Sequence, residues 1–115
     1  MIFKSKSSHI GSSLSIVEIL VTLYFNILKI DQKKLNKSNN DRFILSKAHA
    51  SVALYAVLAE RGFFPLNYLE KYYSNDGILP GHLDKTSIPG IEFSAGALGH
   101  GFSAAIGMSI SYKHS

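Results

Sequence analysis

Apolar positions along the chain follow two different periods. Val17, Leu20, Val21, Tyr24, Phe25 and Leu28 recur at three- and four-residue spacing, which predicts an amphipathic to largely buried helix. Ser15 and Glu18 read as its capping box, each side chain satisfying a free backbone N–H at the helix start. Phe43, Ile44 and Leu45 instead form a continuous run, entered from Asp41 and Arg42 and left through the small-residue turn SKAHAS. That pattern predicts a short buried strand at residues 42–45 that feeds a helix. Residues 50–61 are rich in Ala and Leu and stop at Gly62, the residue that most readily turns left-handed past a helix end. A third helix is expected after Pro65, through Leu69, Tyr72 and Tyr73, and a last one over residues 102–115, where Ala104, Ala105, Met108 and Ile110 sit among small residues.

The segments between are of two kinds. Residues 29–40, KIDQKKLNKSNN, are polar and aperiodic and read as a solvated connection. Residues 74–101 contain two firm turns, Pro80-Gly81 and Pro89-Gly90, and little regular pattern. A connection that long inside a compact domain is functional or disordered. Ile78, Leu79, Ile88, Ile91, Phe93 and Leu98 supply apolar anchors, so an ordered binding loop is expected.

Composition narrows the classes. With 115 residues, 46% hydrophobic and 17% charged, the chain is at most one domain and is not intrinsically disordered. The absence of cysteine excludes disulfides, thiolate nucleophiles and Cys-based zinc sites. Residues 16–30 are interrupted by Glu18, Thr22, Asn26 and Lys29 and are expected to be too short and too polar to span a bilayer, so a soluble, cytoplasmic protein with no membrane association is expected. Residues 1–50 carry eight Lys/Arg against three acids, and residues 51–115 four against five. A basic front half without interleaved aromatics suits phosphate ligands better than nucleic acid.

Candidate chemistry lies in the histidines. His9 (SSHIG), His49 (KAHAS), His82 (PGHLD) and His100 (LGHG) each have Gly, Ala or Ser within two positions. Small neighbours let a ligand reach the backbone and leave an imidazole free to donate, accept or shuttle a proton. Any one of them alone reads better as a surface or hydrogen-bonded core histidine; four in one setting shift the balance toward a shared site. No pair has the i, i+4 spacing of a helical zinc site, Asp76, Asp84 and Glu92 are scattered, and a serine-nucleophile elbow is missing. What remains is a set of imidazoles suited to an oxygen-rich, anionic ligand. GALGHG does not fit the usual dinucleotide fingerprint and is a weak phosphate-loop signal. His114 has no assigned role.

Four ordered motifs carry a resemblance: SSHIGSSLSIVEIL, DRFILSKAHASVALYAVLAERGFF, LPGHLDK and FSAGALGHGFSAAIGMS. In this order and spacing the chain resembles the N-terminal, thiamine-diphosphate-binding part of transketolase, most of all the separate N-terminal subunit of two-chain bacterial transketolases. The resemblance implies an α/β fold with a parallel sheet flanked by helices, of which this piece, residues 1–115, would be mainly helical with one or two short strands. It implies transfer of a two-carbon ketol unit from a ketose phosphate to an aldose phosphate, as in the pentose phosphate pathway. His9, His49 and His82 are then catalytic; His49, Gly96, Ala97 and Leu98 contact thiamine diphosphate; His100 and Lys47 face the substrate. Magnesium or calcium would be held by residues outside this sequence, since the family's Gly-Asp-Gly segment and later Asn do not occur before Ser115. A C-terminal subunit or pyrimidine-binding region is the implied partner, in a homo- or hetero-oligomer, and the chain alone is expected to be inactive and marginally stable. Ser8 and Ala48 stand where the family has Gly, and His100 where many members have Gln. A non-catalytic cofactor- or phosphate-binding module, or an assembly element, is the alternative reading.

Overall fold

The computed structural model describes residues 1–35 and 38–114. Helix α4, Ser51–Glu60, is its spine. Tyr55, Leu54 and Leu58 are buried, as are Ser51, Ala53, Val57 and Ala59, so the helix is covered on most sides, and only the face of Val52, Ala56 and Glu60 is less enclosed. Its Ala/Leu composition favours helix without help from a cap. At its far end the expected left-handed glycine is present: Gly62 has φ 81°. Gly62 N–H donates to the Ala59 carbonyl and Phe63 N–H to the Leu58 carbonyl, at 2.9 and 3.0 Å, the paired bonds of a Schellman stop.

Short helices surround this spine. Helix α1, Ile2–Ser5, closes on Lys6 and leads to α2, Ile10–Leu14, and α3, Val17–Thr22. A π-turn over Leu23–Ile27 continues α3, with Leu28 N–H donating to the Leu23 carbonyl at 2.8 Å. Helices α2 and α3 both pack on α4, and Ser13 of α2, Leu20 of α3 and Tyr24 of the π-turn are buried. Val17, Val21 and Phe25, expected to share that buried face, remain 37–47% exposed. The Ser15–Glu18 capping box does not form. Ser15 ends α2, and its hydroxyl donates back to the Ser12 carbonyl at 2.9 Å, so α3 starts from Ile16 with no side-chain cap. Taken from α2 onward, Ile10–Ile27 is long and apolar enough to cross a membrane by length and composition, with mean hydropathy 1.6. The apolar run thus begins before residue 16, within α2, and is longer than residues 16–30 alone suggest.

Residues 42–45 are not a strand. Among the described residues there is no β-ladder, only an isolated antiparallel bridge between Leu83 and Ala95. A strand needs a neighbour to receive its N–H and C=O groups, and among the described residues none of 42–45 takes part in a β-bridge. Side chains hold it instead. Arg42 Nη1 donates to both carboxylate oxygens of Glu92 at 3.0 and 2.9 Å and Arg42 Nε to the Tyr112 hydroxyl at 3.2 Å, while the Phe43 ring packs edge-on against Tyr24.

The 74–101 segment is ordered as expected, with Leu79, Leu83, Ile88, Ile91 and Ala95 buried. Ile78 and Leu98 are exposed rather than anchored. After a 3₁₀ helix at Leu66–Lys71 it runs to helix α5, His100–Lys113. In the 29–40 connection, Asn40 ties the ends together by accepting from Asp31 N–H and donating to the Lys34 carbonyl; Asn36, Lys37 and the final Ser115 lie outside the described residues.

Candidate active site

Three of the four candidate histidines meet. The rings of His9 and His49 are 5.4 Å apart and those of His9 and His82 5.9 Å. Each arrives by a different device. His9 precedes α2 with φ 70°, a left-handed conformation that costs about 1–2 kcal/mol for a residue with a Cβ. His49 sits in the 3₁₀ turn Ala48–Ala50, whose two alanines are fully buried, so small side chains let the turn sink while the imidazole stays accessible.

His82 hangs from α4. Ser51 Oγ donates to the Gly81 carbonyl at 2.8 Å, and the Tyr55 hydroxyl lies 3.1 Å from the Pro80 carbonyl and 3.3 Å from that of His82. Residues 51 and 55 are one helical turn apart, so one face of α4 holds the whole PGH turn. Burial pushes the Tyr55 hydroxyl far above the usual phenol range, keeping it a neutral donor. Gly81 lies under the Tyr73 ring, where an added Cβ would be 2.8 Å from Cε2.

Desolvation, then the neighbouring His9, Lys47 and His82, lower the pKa of His49. It is therefore a neutral imidazole at pH 7, able to accept a proton. Lys47 does not project freely into the site. Its Nζ donates to Ser15 Oγ at 2.9 Å and to the Ser12 carbonyl at 3.3 Å, bracing α2 against the histidine turn; a third donor remains.

Gly96, Ala97 and Leu98 are exposed just before α5, and nothing lies within 4 Å of a Cβ built on Gly96 or on Gly99. His100 is the first residue of α5, exposed, and among the described residues makes no ring contact with the other three. The loop and the histidine turn are nonetheless joined. Ser46 Oγ accepts from Phe102 N–H at 3.0 Å, and Gly101 lies so close that its Cβ would be 2.7 Å from Ser46 Cα. Ser46, Ser51, Tyr55 and Gly101 do not stand out in the sequence. Only the 51/55 spacing offers a signal, and a buried tyrosine always wants a polar partner.

Imidazoles beside an open, glycine-containing backbone suit an oxygen-rich anion that is held partly by main-chain N–H groups. That fits a diphosphate cofactor. It does not fit a divalent cation, because among the described residues no three His, Cys, Asp or Glu side chains group to hold one.

The architecture and the histidine cluster suit a coenzyme-binding domain. All of the chain, residues 1–115, matches the family described as "Transketolase, thiamine diphosphate binding domain". The chain is 45% identical over 105 residues to the 6-deoxy-6-sulfo-D-fructose transketolase subunit of Clostridium sp. (strain MSTE9), covering 91% of this chain and 38% of that one. It is 45% identical over 107 residues to an apulose-4-phosphate transketolase subunit of Actinobacillus succinogenes, covering 93% and 39%. The structure of transketolase from Leishmania mexicana superposes with a TM-score of 0.90 at 26% identity, over 96% of this chain and 17% of that chain. The chain belongs to the transketolase thiamine-diphosphate-binding family. It spans about two fifths of the length of the first two relatives.

Proposed function

We propose that this chain is the cofactor-binding part of a transketolase-type transferase that moves a two-carbon ketol unit between phosphorylated sugars. The observation that carries this reading is the convergence of His9, His49 and His82, with ring centroids 5.4 and 5.9 Å apart, from three separate segments. Thiamine diphosphate, when bound, supplies the carbanion chemistry that cleaves and forms the carbon–carbon bond. This chain's residues do the rest. His49, kept neutral, accepts and returns a proton at a substrate hydroxyl; His9 and His82 hold the carbonyl and hydroxyl oxygens of the ketose in line. Backbone N–H groups at Gly96, Ala97 and Leu98 bind the anionic cofactor, and His100 lies at the substrate side.

A magnesium or calcium ion would be held by residues outside this sequence, and a C-terminal subunit or pyrimidine-binding region would complete the site. Two relatives bear names of transketolase subunits, which supports such a partner. Residues 42–45 would join a parallel sheet once neighbouring strands flank them. Alone, the chain would then be inactive.

The test is ketol transfer by the enzyme assembled with its partner. His49→Ala is expected to lower turnover by roughly 10²- to 10⁴-fold, the range for a positioned acid–base group. Unchanged turnover would remove His49 from the mechanism.

A further inference from the structure

Helix α2 carries His9 at its head, yet little of its own surface holds it in place. It is five residues long, too short to persist without tertiary support. Ile10 and Leu14 are exposed. Only Ser13 of α2 is buried, and its hydroxyl has no hydrogen-bond partner among the described residues. His9 itself has φ 70°, a conformation that local preference opposes. Among the described residues, the only hydrogen bonds that join residues 9–15 to a part of the chain remote in sequence come from Lys47. Its Nζ donates to Ser15 Oγ at 2.9 Å and to the Ser12 carbonyl at 3.3 Å. Ser15 Oγ also donates to that carbonyl at 2.9 Å, which closes a three-cornered network. An ammonium suits this end of a helix, where free carbonyls and the negative pole of the dipole collect.

The other side of the clasp is firmly seated. Lys47 leads into the turn Ala48–Ala50, whose two alanines are fully buried, and Ser46 before it is bonded to Phe102 N–H. A loosely seated helix is thus fastened to a fixed turn, and the two carry His9 and His49. Ser15 and His9 are six residues apart, about 9 Å along a helix, so a shift at one end of so short a rod is passed to the other. We propose that Lys47 is a positioning residue: its ammonium, bound to Ser15 and Ser12, fixes α2 against the 48–50 turn and so sets the place of the His9 ring beside His49. The proposal rests on the transketolase reading of the histidine cluster, in which His9 holds an oxygen of the ketose. Lys47 acts through His9 and touches neither substrate nor cofactor.

The experiment is a double-mutant cycle on ketol transfer by the assembled enzyme. Misplacing a positioned group by about 1 Å can cost 10²-fold, so Lys47→Met is expected to lower kcat by roughly ten- to a hundredfold. In a His9→Ala background the same substitution is expected to change kcat by less than about threefold, because residues that act through one another do not add. A full loss in that background overturns the proposal, since Lys47 would then act on His49 or on the substrate. An unchanged kcat in Lys47→Met overturns it too, as does a loss that saturating thiamine diphosphate restores, since Lys47 would then serve the cofactor. Ser15→Ala leaves the ammonium in place and is expected to reproduce part of the loss, about threefold or more, with most of it recovered in Ser15→Thr. A wild-type rate in Ser15→Ala overturns the clasp, even where Lys47→Met fails to fold. A wild-type enzyme without ketol transfer refutes the transketolase reading and leaves the clasp to histidine-ring NMR of the same assembled protein. Cross-relaxation between the His9 and His49 rings, whose centroids are 5.4 Å apart, is then expected to weaken in Lys47→Met, and cross-relaxation equal to that of the wild type overturns the clasp.

Discussion

Helix α5 contains two glycines that should respond to alanine with opposite signs. At Gly101 the new Cβ would lie 2.7 Å from Ser46 Cα, 3.0 Å from Ser46 Cβ and 3.2 Å from Ile44 Cγ2. The nearest obstacle is backbone, so it cannot swing aside, and overpacking of this kind costs about 1–3 kcal/mol. Lifting the helix also stretches the 3.0 Å bond from Phe102 N–H to Ser46 Oγ, worth about 0.5–1.5 kcal/mol net. The intrinsic gain of alanine over glycine, at most about 1 kcal/mol, is smaller in the first turn. Gly101→Ala should therefore destabilise by about 1–3 kcal/mol on balance. Nothing lies within 4 Å of a Cβ at Gly107, so Gly107→Ala should stabilise by about 0.5–1 kcal/mol. The gap between the variants is then about 1.5–4 kcal/mol, or on the order of 1 M in urea midpoint for an ordinary denaturation slope. Far-UV circular dichroism of the intact protein in urea measures it. A Gly101→Ala midpoint equal to or above that of Gly107→Ala would refute the close docking of α5 on Ser46.

Two further outcomes follow from the site. Tyr55→Phe removes the hydroxyl shared by the Pro80 and His82 carbonyls; it should cost about 1–3 kcal/mol in unfolding free energy and lower turnover through a misplaced His82, and normal turnover would show that Ser51 alone holds the turn. For His49 the folded pKa lies below the ordinary 6.5, first through desolvation and then through His9, Lys47 and His82. Its contribution to stability is thus complete above pH 6.5 and is lost as pH falls through the folded value. Imidazole proton NMR should place its midpoint below 6.5, and Lys47→Met should raise it only partway, because burial is the larger cause; a midpoint at or above 6.5 in the wild type would contradict this.

What could be read from sequence was chemistry with local support. The four histidines stood out because small neighbours flanked each, and Gly62 because a helical run ended on it. The ordered loop was legible from its spaced apolar residues, of which Leu79, Ile88 and Ile91 are buried. The strand expected at residues 42–45 does not form because an apolar run records burial, whereas a strand also requires partners for its backbone. The Ser15–Glu18 box failed for a related reason: Ser15 found a nearer acceptor, the Ser12 carbonyl, and local hydroxyl bonds of that kind compete with caps. Helix α1 escaped notice because four residues show no period. The roles of Ser46, Ser51 and Tyr55 depend on which carbonyls and amides the fold brings near them, and that is information a linear pattern does not hold.

The bonds that assemble the histidines join distant parts of the chain. Ser51 and Gly81 are 30 residues apart, Arg42 and Glu92 are 50 apart, and Ser46 and Phe102 are 56 apart. Helix α4 and its glycine stop, by contrast, close within a few residues. Loop closure must be met before such remote contacts return anything, and its cost grows with the logarithm of the span. The spine can therefore nucleate early, while the cluster of imidazoles gains its geometry only when the largest loops have shut. In kinetic order the chemistry comes last, and the segments that carry it are the ones whose opening costs the least of the molecule's cooperative structure.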